Sequence, residues 1–260
     1  MPFDSPDLNL GSLLKDIDLG KVQLPDFQRE WKWDDDRIKS LLASIGRGHP
    51  VGVLMMLETG GDGTRFAPKA ISGAKPPTGT EPDQLLLDGQ QRLTSLFQSL
   101  YSGRPVDTSD ARGKKLRRWY YIDMNAVLES EADLEDAIIS LPEDKVIRDD
   151  FGRRVLNDYS SMELECAQDV FPLSRAFDTS AIFEWQNRYV TQQPDEAGAR
   201  AAKWNVFYQR VLHNFISYTV PAIVLKRDTP KEAVCTVFEK VNTGGVPLNV
   251  FELLTATYAA

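Results

Sequence analysis

Apolar residues Ile38, Leu41, Leu42 and Ile45 recur at i, i+3, i+4 and i+7, the spacing of a single helix face. Asp34, Asp35 and Asp36 precede that stripe, offering an N-cap and first-turn acids that suit the positive end of a helix. Gly46, Gly48 and Pro50 stop it. Upstream, Leu24 to Trp33 reads as an extended, Pro-initiated segment, and downstream VGVLMMLE, 51–58, reads as a buried strand. Glycines and prolines crowd 59–83, which predicts a long mobile loop. A short strand follows at 84–87. Asp88-Gly89 then turns the chain into a second helix striped by Leu93, Leu96, Phe97, Leu100 and Tyr101 and ended by Gly103 and Pro105.

Between 104 and 217 the pattern changes. WYYIDM, 119–124, predicts a strand, but most of the segment reads as helices and connections. The firmest of these carries Trp204, Phe207, Tyr208, Val211, Leu212 and Phe215 on one face. YTVPAIVL, 218–225, is a β-branched strand, and Thr229-Pro230-Lys231-Glu232 is a capping box with proline at the first helical position. Ala233, Val234, Val237, Phe238 and Val241 line the helix it opens. VNTGGVPLN breaks that helix, and Asn249 with Glu252 caps a last one that reaches Ala260 with no stop signal. The expectation is a chain that continues beyond this point.

Composition narrows the function classes. Hydrophobic residues at 42% and charged residues at 26% are those of a globular protein. Thirty basic against 38 acidic side chains leave a net charge of -8, so a polyanion must bind at a local patch. Two cysteines, Cys166 and Cys235, make neither a disulfide framework nor a Cys-rich zinc site. Two histidines, His49 and His213, leave little for a Ser-His-Asp triad, an HExxH site or a His-rich nuclease centre. There is no Walker A pattern, and no apolar run approaches the roughly 20 residues of a membrane span. The opening MPFDSPDLNL is no signal peptide. Together these features predict a cytoplasmic protein with no membrane partner.

Strand, Asp88-Gly89-Gln90-Gln91-Arg92, helix is the stretch richest in chemistry. A glycine turn at a helix N-terminus aims backbone N–H groups and the positive dipole end at one spot, where a phosphate is favoured. Arg92 adds a charge-assisted fork. Gln90 or Gln91 suits the orientation of a water, as in some GTPases, and Asp88 suits Mg²⁺ or the attacking water. The same residues serve equally as a helix cap and a surface charge. Gln28 and Arg29, flanked by Phe27, Trp31 and Trp33, form a second polar group, which if buried calls for an anionic partner. Asn242-Thr243-Gly244-Gly245 reads as a helix C-cap, or as backbone open to a ligand. Arg112, Lys114, Lys115, Arg117 and Arg118 form a basic run, which reads as the local DNA-binding patch or as a solvated loop neutralised by the acidic stretch Glu129 to Asp136.

LPDFQREWKWDDDRIKSLLASIGRGHPVGVLMML, then LLLDGQQRLTSLFQSL, then FEKVNTGGVPLNVFELL resemble the GmrSD-type restriction endonuclease N-terminal family, the DGQQR-motif proteins of bacterial anti-phage defence, themselves similar to the ParB/sulfiredoxin superfamily. Gln28, Arg29, Ser44, Ile45, Gly89 and Arg92 match the ParB-like pattern, and Val220, Pro221, Asn242, Leu248, Asn249 and Glu252 match its later part. The resemblance implies an α/β (α+β) fold: a ParB/sulfiredoxin-like core of a small sheet with flanking helices, residues 8–103 plus 218–260, carrying a large, mostly helical insertion at 104–217.

By the same resemblance the activity is nucleoside triphosphate hydrolysis with Mg²⁺, stimulated by modified double-stranded DNA and coupled to an HNH-type nuclease domain beyond residue 260. Asp88, Gln90, Gln91 and Arg92 are the implied catalytic residues, and Gln28, Arg29, Gly89, Thr94, Asn242, Thr243 and Gly244 the implied nucleotide ligands. The chain departs from its relatives in one respect. Gln90 and Gln91 stand where a sulfiredoxin has its catalytic cysteine and where chromosome-partition ParB proteins have acidic and arginine residues, which excludes the first activity and leaves the cytidine preference of the second without support. The alternative is a ParB-type switch module that binds a nucleotide or modified DNA without hydrolysis.

Overall fold

The computed structural model describes residues 3–61, 66–129, 133–149, 152–230 and 233–234. In chain order come β1 (Phe3–Asp4), β2 (Asp7–Asn9), α1 (Leu10–Asp18), β3 (Val22–Pro25), α2 (Asp35–Gly46), β4 (Leu54–Glu58), β5 (Pro68–Lys69), β6 (Gln84–Asp88) and α3 (Gln90–Leu100). β7 (Val106–Ser109), β8 (Lys115–Asp123), α4 (Met124–Leu128), α5 (Leu134–Ala137), β9 (Ile138–Pro142), β10 (Val146–Asp149) and β11 (Arg154–Asp158) follow. The last are α6 (Met162–Ala167), β12 (Val170–Pro172), α7 (Thr179–Thr191), α8 (Ala197–Phe207), α9 (His213–Ser217) and β13 (Thr219–Leu225). Helices and strands are mixed, as expected. The chain divides into two compact units: residues 3–31, 52–94 and the described part from 219 on, and residues 32–51 with 95–218. Besides 104–217, the second unit therefore takes in α2 and the later part of α3.

The first unit is built on a mixed sheet in the order β1-β13-β4-β6-β3-β5, with β2 also pairing β13. β13 runs parallel to β4, β4 antiparallel to β6, and β3 parallel to β6. One face packs Met55, Leu57, Phe66, Leu85, Leu87, Leu225 and Val234 into a buried cluster. The register Val22↔Gln84 and Gln23↔Leu85 makes the segments that leave β3 and β6 emerge side by side. That is how Gln28 and the DGQQR turn, some sixty residues apart, come together.

The buried strand expected over 51–58 starts only at Leu54. Gly52 holds a φ of +93°, outside strand geometry, and Val53 is 45% exposed. The segment expected as a long mobile loop is anchored at several of its described positions. β5 within it pairs with β3, Phe66 and Ile71 are buried, and the Gln23 amide donates to the Thr80 carbonyl at 2.9 Å.

In the second unit α2 starts as its sequence predicts, the Asp34 carboxylate accepting from the Arg37 N–H, and its apolar stripe is buried. The segment 104–217, expected to be mostly helical, is helical in its later half. Its earlier half supplies β7, β8 and β9, which form a sheet with β12 of the later half in the order β12-β8-β7, β9 also pairing β8, and the separate pair β10-β11. The strand expected at 119–124 is longer, because Lys115 and Arg117 point to solvent from a strand paired with β7. The helix expected around Trp204 runs from α8 through a π-helical turn at Tyr208–Leu212 into α9.

The helical half packs Phe171, Trp185, Tyr189, Trp204 and Phe207 against one another. Beside them Glu165, 2% exposed, accepts from the Tyr121 hydroxyl at 2.8 Å and the Trp185 Nε1–H at 3.3 Å, with the Lys145 ammonium 3.6 Å away. Burial raises its pKa, against the opposing pull of Tyr121, Lys145, Arg175 and Trp185. A carboxyl whose pKa is raised on folding contributes stability that is fully present below its unfolded pKa and lost as pH rises through the folded one. Glu165→Gln, which keeps a neutral side chain of the same shape, is therefore expected to gain stability over the wild type as pH increases. Thermal midpoints of the two proteins across a pH series check this: the gap must widen upward, and a constant gap contradicts it.

Candidate functional site

Asp88 ends β6, an interior strand of the first unit's sheet, and Gly89 turns the chain into α3 with a φ of +92°, a region open to glycine and costly to L-residues. The carbonyl of Gly89 accepts the first helical bond, from the Leu93 N–H at 2.9 Å. Gln90, Gln91 and Arg92 thus form the first turn, whose N–H groups have no intrahelical acceptor and where an anion is favoured. The guanidinium of Arg92 folds back over this turn. Its Nη2 donates to the Val53 carbonyl at 2.9 Å and lies 3.5 Å from the Asp88 carboxylate. Both side chains stay in contact with solvent, at 21% and 28% exposure.

The segment after β3 is tied to this turn by amides. Gln28, buried, donates to the Leu87 carbonyl at 2.6 Å. Gln90, also buried, donates to the Arg29 carbonyl at 2.6 Å, and Gln91 to the Glu30 carbonyl at 3.3 Å. The Trp31 indole N–H returns a bond to the Gln91 carbonyl at 3.3 Å. The two motifs therefore meet. The Gln90 and Gln91 amide nitrogens hold main chain, which ties the segment after β3 to the turn. Of the Gln28-Arg29 pair only Gln28 is buried, and Arg29 is exposed. Thr94 is fully buried and its hydroxyl has no hydrogen-bond partner among the described residues. Asn242, Thr243 and Gly244 lie outside the described residues.

Sequence reasoning missed the backbone at 52–53, which receives Arg92. The signal was present: a glycine interrupting an apolar run marks a bulge or a close approach of another group.

A cavity of about 600 Å³ lies at the other end of β6, lined among others by Lys21, Glu58, Glu81, Asp83, Gln84 and Arg227. Arg227 stands 4.0 Å from Glu58, and the adjoining Lys226 3.0 Å from it. Excess carboxylate makes that cavity a poor seat for an anion, in contrast to the turn at Gly89.

The basic run lies on the β7–β8 hairpin of the second unit. Arg117 pairs with Asp107 at 3.2 Å and with Glu143, and the Asp110 carboxylate accepts the Arg112 and Lys114 N–H groups at 2.9 Å. Asp107 and Glu143 neutralise the Arg117 charge, the Asp110 bonds being to backbone N–H groups, while Asp133 of the Glu129 to Asp136 stretch pairs with Arg47. Arg112, Lys114 and Lys115 remain exposed, and Arg118 is half-buried.

Comparison with known proteins bears on the whole chain. The model of the GmrSD restriction endonuclease N-terminal domain matches residues 10–259. An uncharacterized protein of Methanocaldococcus jannaschii is 30% identical over 261 aligned residues, which cover 96% of this chain and 41% of that protein. The chain therefore spans about two fifths of the length of that relative. A match of this extent, laid over a fold in which the DGQQR turn and the Gln28 segment interlock, assigns the chain to the GmrSD restriction endonuclease N-terminal domain family.

Proposed function

We propose that the α3 N-terminus binds the phosphates of a nucleoside triphosphate and supports its hydrolysis. The observation that carries this reading is the Arg92 guanidinium held against the Gly89 turn by Asp88 and the Val53 carbonyl. A γ-phosphate arriving there meets first-turn N–H groups and one fixed cation, the electrostatic arrangement that phosphoryl transfer needs most. Water attacks phosphorus as the bond to the β-phosphate oxygen breaks. Asp88 orients the water and accepts its proton, and Arg92 offsets charge on the transferring group. Among the described residues no three His, Cys, Asp or Glu side chains converge on a metal. A magnesium ion would accordingly be held chiefly by the phosphates and waters, with Asp88 beside it, and would supply charge neutralisation. Asn242, Thr243 and Gly244 enter as ligands on the family resemblance alone.

A second reading has its own observation. Both glutamine amide nitrogens are bound to the carbonyls of Arg29 and Glu30, a clamp between two segments that suits a switch which binds without hydrolysing. Phosphate release beside equilibrium binding separates the two. Turnover that falls by about 100-fold or more in Asp88→Ala, in the range of general-base catalysis, with binding retained, supports the enzyme. Tight binding by the wild type with no release, with or without DNA, supports the switch.

We further propose that modified double-stranded DNA is the stimulating partner, that the β7–β8 hairpin contacts its backbone, and that a nuclease domain of the longer protein or of a partner chain acts downstream. Changing Arg112, Lys114 and Lys115 to glutamine is expected to reduce the slope of log affinity against log salt by about 2–3, close to one for each phosphate left without its cation. Arg117→Gln changes it little, because two carboxylates already face that charge. Equal slopes in the wild type and the triple variant would remove the hairpin from the interface.

A further inference from the structure

We infer that Gly52 is a positioning residue for Arg92: its missing side chain leaves the place in which the guanidinium lies. The inference rests on the anion seat proposed above. A Cβ built on Gly52 would stand 2.4 Å from Nη1, 3.2 Å from Cζ and 3.7 Å from Nη2 of Arg92, so three atoms of the fork lie over this one backbone position. The next residue supplies the carbonyl of Val53, 2.9 Å from Nη2. On the other side a Cβ on Gly89 would stand 3.3 Å from the same nitrogen. The fork therefore sits between two glycines of positive φ, +93° and +92°, with Asp88 at 3.5 Å. Charge alone does not require this arrangement, since Asp88 is near enough to hold a cation in several orientations. Backbone on both sides restricts the fork to one, with its nitrogens beside the first turn of α3.

The group that a side chain at 52 would strike is the far end of a flexible arginine, which can swing away. A substitution there should consequently displace the guanidinium more than it disturbs the fold. Backbone strain is the confounding effect, because L-residues resist positive φ. Asparagine tolerates that region far better than alanine, so Gly52→Asn keeps the obstructing Cβ with less strain, and Gly52→Ala is its companion.

The test is a double-mutant cycle on the 260-residue chain with Gly52→Asn, Arg92→Ala and their combination. Inorganic tripolyphosphate is titrated by calorimetry, and thermal midpoints are recorded alongside. The expected result is binding weakened about 10- to 100-fold by each single change, the span of a charge-assisted hydrogen bond, with the double variant no weaker than Arg92→Ala. Gly52→Asn binding as the wild type does, while Arg92→Ala loses binding, overturns the role of Gly52 and leaves the seat intact. Losses that add in the double variant overturn it as well, because Gly52 would then act independently of Arg92. Arg92→Ala binding like the wild type, or no binding by the wild type, instead overturns the seat itself.

Discussion

Arg92→Ala is expected to lower kcat/KM for nucleoside triphosphate hydrolysis by about 100- to 1,000-fold, equivalent to roughly 3–4 kcal/mol of transition-state stabilisation, an effect of the size seen on removing a preorganised charge donor. Stability should barely change. The side chain is partly exposed, its ion pair with Asp88 spans 3.5 Å, and pairs of that kind contribute about 1 kcal/mol or less. Arg92→Lys should recover only part of the loss, because an ammonium cannot reproduce the planar fork that lies over Gly52. Steady-state kinetics with thermal midpoints measured on the same preparations check both halves of this expectation. A large loss of activity accompanied by a large fall in midpoint would mean that Arg92 supports the fold and not the chemistry.

Gly89→Ala should damage both fold and site. At a φ of +92° an alanine meets backbone strain, and its Cβ would stand 2.4 Å from Cδ2 of Leu54, a residue only 2% exposed in the sheet. Strain of about 1–2 kcal/mol combines with the crowding of a packed core, typically about 1–3 kcal/mol. The same Cβ approaches Nη2 of Arg92 to 3.3 Å, so triphosphate binding falls together with stability. Gly89→Asn separates the two effects: its tolerance of positive φ recovers part of the strain, while the close approach to Leu54 and Arg92 remains. Chemical denaturation and nucleotide titration of both variants measure the split. An alanine variant as stable and as active as the wild type would show that this turn does not need glycine.

The local pattern was enough to find α2 and α3, because their signals are near in sequence: Asp34 caps the first, and Asp88-Gly89 sets the start of the second. Family resemblance placed Gln28 and Arg92 in a common site, and the parallel pairing of β3 with β6 provides the geometry. That pairing joins strands about sixty residues apart, and nothing in either strand alone specifies its partner. The same distance hid the role of the glutamines. Spacing showed two amides beside an arginine, but not that Gln90 reaches the carbonyl of Arg29. Strands in the earlier half of 104–217 escaped for a different reason. Lys115 and Arg117 occupy the solvent side of β8, so a half-exposed strand reads as a charged loop. Gly52 carried a legible warning as a glycine inside an apolar run, yet which side chain would lie against it depended on the tertiary fold.

The most direct measurement is a crystal structure of this chain with a nonhydrolysable nucleoside triphosphate and magnesium. Terminal phosphates are expected within hydrogen-bond distance of the Arg92 guanidinium and the first-turn N–H groups of α3, with Asp88 beside the metal. Phosphates bound instead at the Glu58 and Arg227 end of the sheet, or absent from the Gly89 turn at saturating ligand, would contradict this expectation.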